Sequence, residues 1–80
     1  METRVAVMSI IVENVSSVET LNAILHEYRE FIIGRMGIPY HLKKINIISI
    51  ALDAPQDVIS AISGRVGNLE GVNVKTAFSK

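Results

Sequence analysis

"SGRVGNLEGV", residues 63–72, places glycines at 64, 67 and 71, and the side of a helix on which they fall decides how the chain is read. A phosphate cradle uses free backbone N–H groups at the positive end of a helix dipole, so its glycines precede a helix. Here Val58, Ile59, Ile62 and Val66 form an apolar stripe ahead of them, so the glycines close a helix. Gly67 is predicted as a left-handed C-cap with Leu69 at the accompanying hydrophobic position, and Gly71 as the turn into a strand. Gly64, in the last turn, is predicted to let helix and sheet approach closely, at a cost of about 1 kcal/mol relative to alanine. The stretch lacks both the Lys-Ser/Thr of a P-loop and the G-x-G-x-x-G of a dinucleotide fold, so it punctuates structure and does not bind anions.

Outward from that helix the elements follow in both directions. "GVNVKTAF", 71–78, alternates Val72, Val74, Thr76 and Phe78 against Asn73, Lys75 and Ala77, as a half-exposed strand does. Upstream, Pro55 is predicted as the first helical residue with Asp57 in the first turn, preceded by a Val/Ile-type strand, "INIISIALD", 45–53. "HLKK" makes a turn, and "FIIGRMGIPY", 31–40, with two glycines and a proline, suits an edge strand. "RVAVMSIIVE", 4–13, reads as a buried strand. Between these lies an amphipathic helix over roughly 17–30, with Val18, Leu21, Leu25 and Tyr28 on its stripe and Ser16 with Glu19 as a capping box.

The order is βαββαβ, and right-handed crossovers make it an α+β, ferredoxin-like sandwich. An antiparallel four-stranded sheet in order 4-1-3-2 is predicted, with both helices on one face. Alternation splits the first strand into Ala6, Met8, Ile10 and Val12 against Val5, Val7, Ser9 and Ile11. The third splits into Ile48, Ile50 and Leu52 against Ile45, Ile47, Ser49 and Ala51. The wholly apolar sets are predicted to face the helices. The sets with Ser9 and Ser49 then lie on an open face too apolar for a monomer, which predicts a homo-oligomer, dimer or tetramer, through that face.

At 80 residues the chain is one domain, 1–80, with little core to spare. Eight basic residues balance eight acidic ones, so no net field draws it to nucleic acid or anionic lipid. The absence of cysteine excludes disulfides, thiolate metal sites and a cysteine nucleophile. Apolar runs are too short to span a bilayer and "METRVAV" is no signal peptide, so a cytoplasmic location without membrane contact is expected.

The same segment carries a resemblance. "ISAISGRVGNLEGVNVKT", with "RMGIPYHLKKINIISIALDA" upstream, resembles the family of iron-only hydrogenase system regulators, over nearly the whole chain. Its most specific part is the S-G-R-V-G block followed by G-V-N-V-K-T. The resemblance implies an ACT-like domain with a ferredoxin-type fold, similar in shape to the effector domains of amino-acid-regulated enzymes and of the nickel-responsive repressor. It implies a regulatory, ligand-sensing role. Two departures narrow it: amino-acid-binding ACT domains have an Asp-x-Pro-Gly type turn where this chain has "ENVSSVET", and nickel effector domains use several histidines and a cysteine. The first argues against ordinary amino-acid binding, the second against a homologous nickel site.

Five residues are candidates for ligand binding. Glu13, Asn14 and Ser16 form the turn into the first helix, where N–H groups are free and where ACT-like folds hold effectors; Ser16 as an N-cap accounts for the same stretch without a ligand. Arg35, between Gly34 and Gly37, either projects across the oligomer face to fork onto an anion or is an exposed charge that protects an edge strand. His41, beside Tyr40 and before Lys43 and Lys44, is either a plain turn histidine or part of a site completed by symmetry; one histidine per subunit makes a poor metal site. His26 and Arg65 read as solvated. The carboxylates are scattered and no serine stands in a nucleophile elbow, so no enzyme, cofactor or metal is expected. The sequence therefore predicts a homo-oligomeric regulatory domain sensing a small-molecule effector and acting through a protein partner. The alternative is an assembly subunit that docks a partner without a small ligand.

Overall fold

The computed structural model describes residues 2–79. Strand β1 (Arg4–Val12) leads through a 3-10 turn (Val15–Ser17) into helix α1 (Val18–Glu27), and a second 3-10 turn (Arg29–Phe31) leads into β2 (Ile32–Tyr40). Then follow β3 (Ile45–Ala54), α2 (Gln56–Gly67) and β4 (Val72–Phe78). The sheet is wholly antiparallel in the order β2-β3-β1-β4, the predicted 4-1-3-2 read from the other end, and the fold is the ferredoxin-like α+β sandwich.

The face assignment follows from pairing. Ala6, Met8, Ile10 and Val12 stand opposite Leu52, Ile50, Ile48 and Asn46. On β1 and β3 the apolar members of these pairs are buried, together with Leu21, Ile24 and Leu25 of α1 and Ile59, Ile62 and Val66 of α2, in one continuous core. Removing each such large side chain from water contributes about 1.5–3 kcal/mol, which is what holds so small a domain together. The other face carries Val5, Val7, Ile11, Met36, Ile38 and Tyr40, between 38% and 52% exposed. No helix among the described residues is long and apolar enough to cross a membrane.

Several details differ from the sequence expectations, each for a local reason. The first helix is shorter than 17–30 because its two ends tighten into 3-10 turns. Its stripe includes Ile24, 5% exposed. Ser16 forms no capping box: Asn14 Oδ1 accepts from the Ser16 amide (3.0 Å) and from Ser16 Oγ (2.6 Å), so Asn14 caps the 3-10 turn, while Ser17 at the N-cap of α1 makes no side-chain cap hydrogen bond. Pro55 lies one residue before α2, its ψ of 152° being non-helical, and its carbonyl accepts from Val58 and Ile59. Gly67 is the last helical residue, and the chain leaves through Asn68 in a right-handed conformation. The left-handed glycine is Gly71, at φ 70°. A Cβ built there would lie 2.7 Å from Asn14 Cβ, whereas Gly64 has open space around it and makes no close approach to the sheet.

A bulge reverses one further expectation. Ile32 pairs with Leu52 but Gly34 pairs with Ala51, so Ile33 is an extra residue in β2. The one-residue slip sends every later side chain of β2 to the other face. Arg35, now opposite Ile50, lies on the helix-covered side and donates to Asn22 Oδ1 of α1, not across the open face. Met36, Ile38 and Tyr40 take the open face in its place.

Arg65, although 43% exposed, is not merely solvated: it bridges the helices to Glu27 at 2.5 Å and to the Tyr28 hydroxyl at 3.3 Å. The hydrogen bond and charge of Arg65 hold the Glu27 carboxyl below its ordinary value. Stability from this pair is present above the ordinary carboxylate range and lost as pH falls through the depressed value. Acid titration of stability is therefore expected to be slightly shallower in Glu27→Gln than in the parent, with the difference fading in high salt, since exposed pairs are screened.

The two glycines give a test of opposite signs. Gly71→Ala is expected to destabilise by more than 1 kcal/mol, because a left-handed backbone and a clash with Asn14 coincide. Gly64→Ala is expected to stabilise by about 0.5–1 kcal/mol as a helix-interior change into open space. Urea denaturation of both variants checks this.

Candidate functional site

The connection leaving β1 is fixed at three points by the chain that approaches β4. The Glu13 amide donates to Gly71 O (2.7 Å) and Ser17 Oγ donates to Glu70 O (2.7 Å). Gly71 itself lies against the Asn14 backbone where a side chain would not fit. Glu13 and Asn14 are thus held in place from behind by the glycine-bearing turn of the 63–72 stretch.

On the other side of that connection stands the β2–β3 hairpin. Tyr40 pairs with Ile45, closing a four-residue turn, His41 to Lys44. Lys44 adopts φ 56° with its amide donating to His41 O (3.2 Å). Between connection and hairpin, at the end of the sheet, is an open groove of about 740 Å³. Glu13 and Asn14 line it from one side, and Tyr40, His41, Lys44 and Asn46 from the other. Val15, Pro39 and Ile45 supply apolar wall, with Val15 70% exposed.

Of the five residues singled out from the sequence, the structure brings Glu13, Asn14 and His41 together here. Ser16 stands behind the groove as a donor to Asn14. Arg35 is tied to α1 by Asn22 and takes no part. Sequence reasoning did not select Val15, Pro39, Tyr40, Lys44, Ile45 and Asn46 as site residues. The signal present was the run of Tyr40, His41, Lys43 and Lys44 in one predicted turn, but which of its side chains meets Glu13 depends on the pairing of β1 with β3, where Val12 stands opposite Asn46.

Chemically the groove offers a carboxylate facing a lysine and an imidazole, two amides and an apolar wall. Such a lining suits a small molecule with polar ends and an apolar body. It contains no hydroxyl or thiol nucleophile beside a base, Tyr40 excepted as a phenol. Among the described residues, no three His, Cys, Asp or Glu side chains cluster as metal ligands.

Comparison with known proteins places this geometry. Residues 4–76 match the TM1266-like family model, described as "Iron-only hydrogenase system regulator, putative". The solved structure of the uncharacterized protein TM1266 from Thermotoga maritima is similar at TM-score 0.94 and 34% identity, covering 99% of this chain and 100% of that one. A formyltetrahydrofolate deformylase from Pseudomonas putida KT2440 matches at TM-score 0.64 and 11% identity, over 91% of this chain and 28% of that enzyme, a likeness of fold alone. No curated protein matches.

The cap assignment is testable. Asn14→Ala is expected to cost about 1 kcal/mol, the usual worth of a lost N-cap, and Ser16→Ala clearly less. Urea midpoints in the reverse order would restore Ser16 as the cap.

Proposed function

Because the chain belongs to the TM1266-like family of iron-only hydrogenase system regulators, we propose that it is a cytoplasmic regulatory domain that senses a small ligand in the groove at the sheet end. It assembles with copies of itself through the open face and transmits ligand occupancy to a partner protein. The observation that carries the ligand reading is the convergence of Glu13 with His41 and Lys44 around an apolar wall. Opposite charges on the two sides fit a ligand with separated polar ends. Self-assembly through the open face is supported by the six partly exposed large side chains that lie on that face of the sheet.

The two parts of this reading have separate tests. Native mass spectrometry of the protein as purified from cells is expected to show a defined oligomer carrying a small additional mass. That mass falls away in the His41→Ala, Lys44→Ala double variant, while the subunit number stays. Adding the released compound at a hundred times its dissociation constant contributes about 2.7 kcal/mol, which raises Tm by roughly 10–20 °C in a domain of this size. A bare oligomer with no shift on adding the cell's small-molecule extract would instead favour an assembly subunit. Val7→Lys is expected to halve or quarter the subunit number, because it places charge at the centre of the face; an unchanged number would exclude the open face as the interface.

A further inference from the structure

The polar side chains of the groove are kept out of other interactions. Of Glu13, Asn14, Tyr40, His41, Lys44 and Asn46, only Asn14 makes a side-chain hydrogen bond among the described residues, and its partner Ser16 stands behind the groove. Elsewhere polar side chains find partners: every arginine of the chain is hydrogen-bonded. The ion pair among the described residues joins Arg65 to Glu27, so Glu13 and Lys44 line the groove without neutralising each other.

Ser16 fixes what Asn14 can offer. Its backbone N–H (3.0 Å) and its hydroxyl (2.6 Å) both donate to Asn14 Oδ1. A backbone N–H cannot accept, so the oxygen and nitrogen of the amide are told apart and both lone pairs of the oxygen are taken. What remains of Asn14 is its NH2, a donor only. Beside it Glu13, a carboxylate, only accepts. The connection therefore presents the groove with a donor next to a pair of acceptors, on a backbone tied to Gly71. The complement is a ligand edge with one acceptor followed by two donors. A carbonyl, a ring N–H and an amino group in a row have that order, as in the 2-amino-4-oxopyrimidine ring common to guanine and the pterins. Adenine, with an amino group beside a bare ring nitrogen, does not.

We propose, on the reading that the groove is the ligand site, that it binds a guanine nucleotide or an acidic pterin, the 2-amino-4-oxopyrimidine edge on Glu13 and Asn14 and the phosphate or carboxylate on Lys44. The rest of the lining fits such a molecule. Pro39, Tyr40 and Ile45 give a flat ring apolar and aromatic surface to lie on. Asn46, half-buried and opposite Pro39, has an amide to donate to a further ring nitrogen. Lys44 and the His41 ring stand across from Glu13, where an acidic tail is attracted and kept from the carboxylate. A groove of about 740 Å³ is of the size that holds small organic ligands.

Titration calorimetry with guanosine, inosine and adenosine monophosphates, pterin-6-carboxylate and inorganic phosphate tests this. The better of guanosine monophosphate and pterin-6-carboxylate is expected to bind about tenfold or more tightly than inosine monophosphate, which lacks the amino group, and than adenosine monophosphate, because a lost partner strands a polar group. Inorganic phosphate alone is expected not to bind measurably. Whichever of the two leads identifies the source, and either order supports the shared edge. Asn14→Asp keeps an oxygen for Ser16 and replaces the NH2 by an acceptor. That variant and Glu13→Gln are each expected to weaken the leading probe about tenfold, with urea midpoints near that of the parent. Guanosine and adenosine monophosphates binding equally, no probe binding, or folded variants that keep the preference would each overturn the proposal. Native mass spectrometry separates its failure from that of the groove itself. A retained compound without this edge, lost in the His41→Ala, Lys44→Ala double variant, would overturn the ligand class and keep the groove as a sensing site, whereas a bare protein that binds no probe would overturn both.

Discussion

The structure depends on the division of β1 and β3 into a dry face and a bare one. Both strands are central, with a hydrogen-bonded neighbour on each side, so their backbone polar groups are satisfied within the sheet and their side chains decide everything else. Ala6, Met8, Ile10 and Val12 are at most 1% exposed, while Val5 and Val7 between and before them are each 43% exposed. Two helices are enough to cover one face of four strands. The other face carries partly exposed apolar side chains that no element among the described residues covers.

A second constraint ties the two ends of the chain's path together. Gly71 combines a left-handed backbone with Asn14 in the space a side chain would need, and the Glu13 and Ser17 hydrogen bonds close the same junction. These contacts join the exit of β1 to the approach to β4. They give the connection before α1 a defined shape, although it carries the half-exposed Asn14 and the exposed Val15. A groove lined from such a connection has one wall fixed by the fold. Of the glycines in the 63–72 stretch, Gly71 is the one that meets this connection.

The family and the geometry contribute different things. The family match places the chain with the iron-only hydrogenase system regulators, and the likeness to the deformylase adds only that a sheet of this topology also occurs within a larger enzyme. The groove supplies a carboxylate together with a lysine and an imidazole, and one sheet face carries partly exposed apolar side chains.

By itself the sequence determined the elements, their order and the faces of the central strands, because these rest on period-two and helical spacing that survive any tertiary arrangement. Pattern alone was sufficient to separate Met8 from Val7, and Ile50 from Ser49. The tertiary structure decided what depends on single residues or on distant partners. The bulge at Ile33 inverts the parity of β2 and moves Arg35 from the open face to α1, and nothing in "FIIGRMGIPY" marks the extra residue. Asn14 and not Ser16 caps the chain's entry, because a 3-10 turn precedes α1, and Ser17 at the N-cap of α1 gives its hydroxyl to Glu70. Glu13, Asn14 and His41 were legible as candidates by residue type and turn position. Their meeting with Lys44 and Asn46 was not, since it follows from the register of three strands, and register is set by the packed core as a whole.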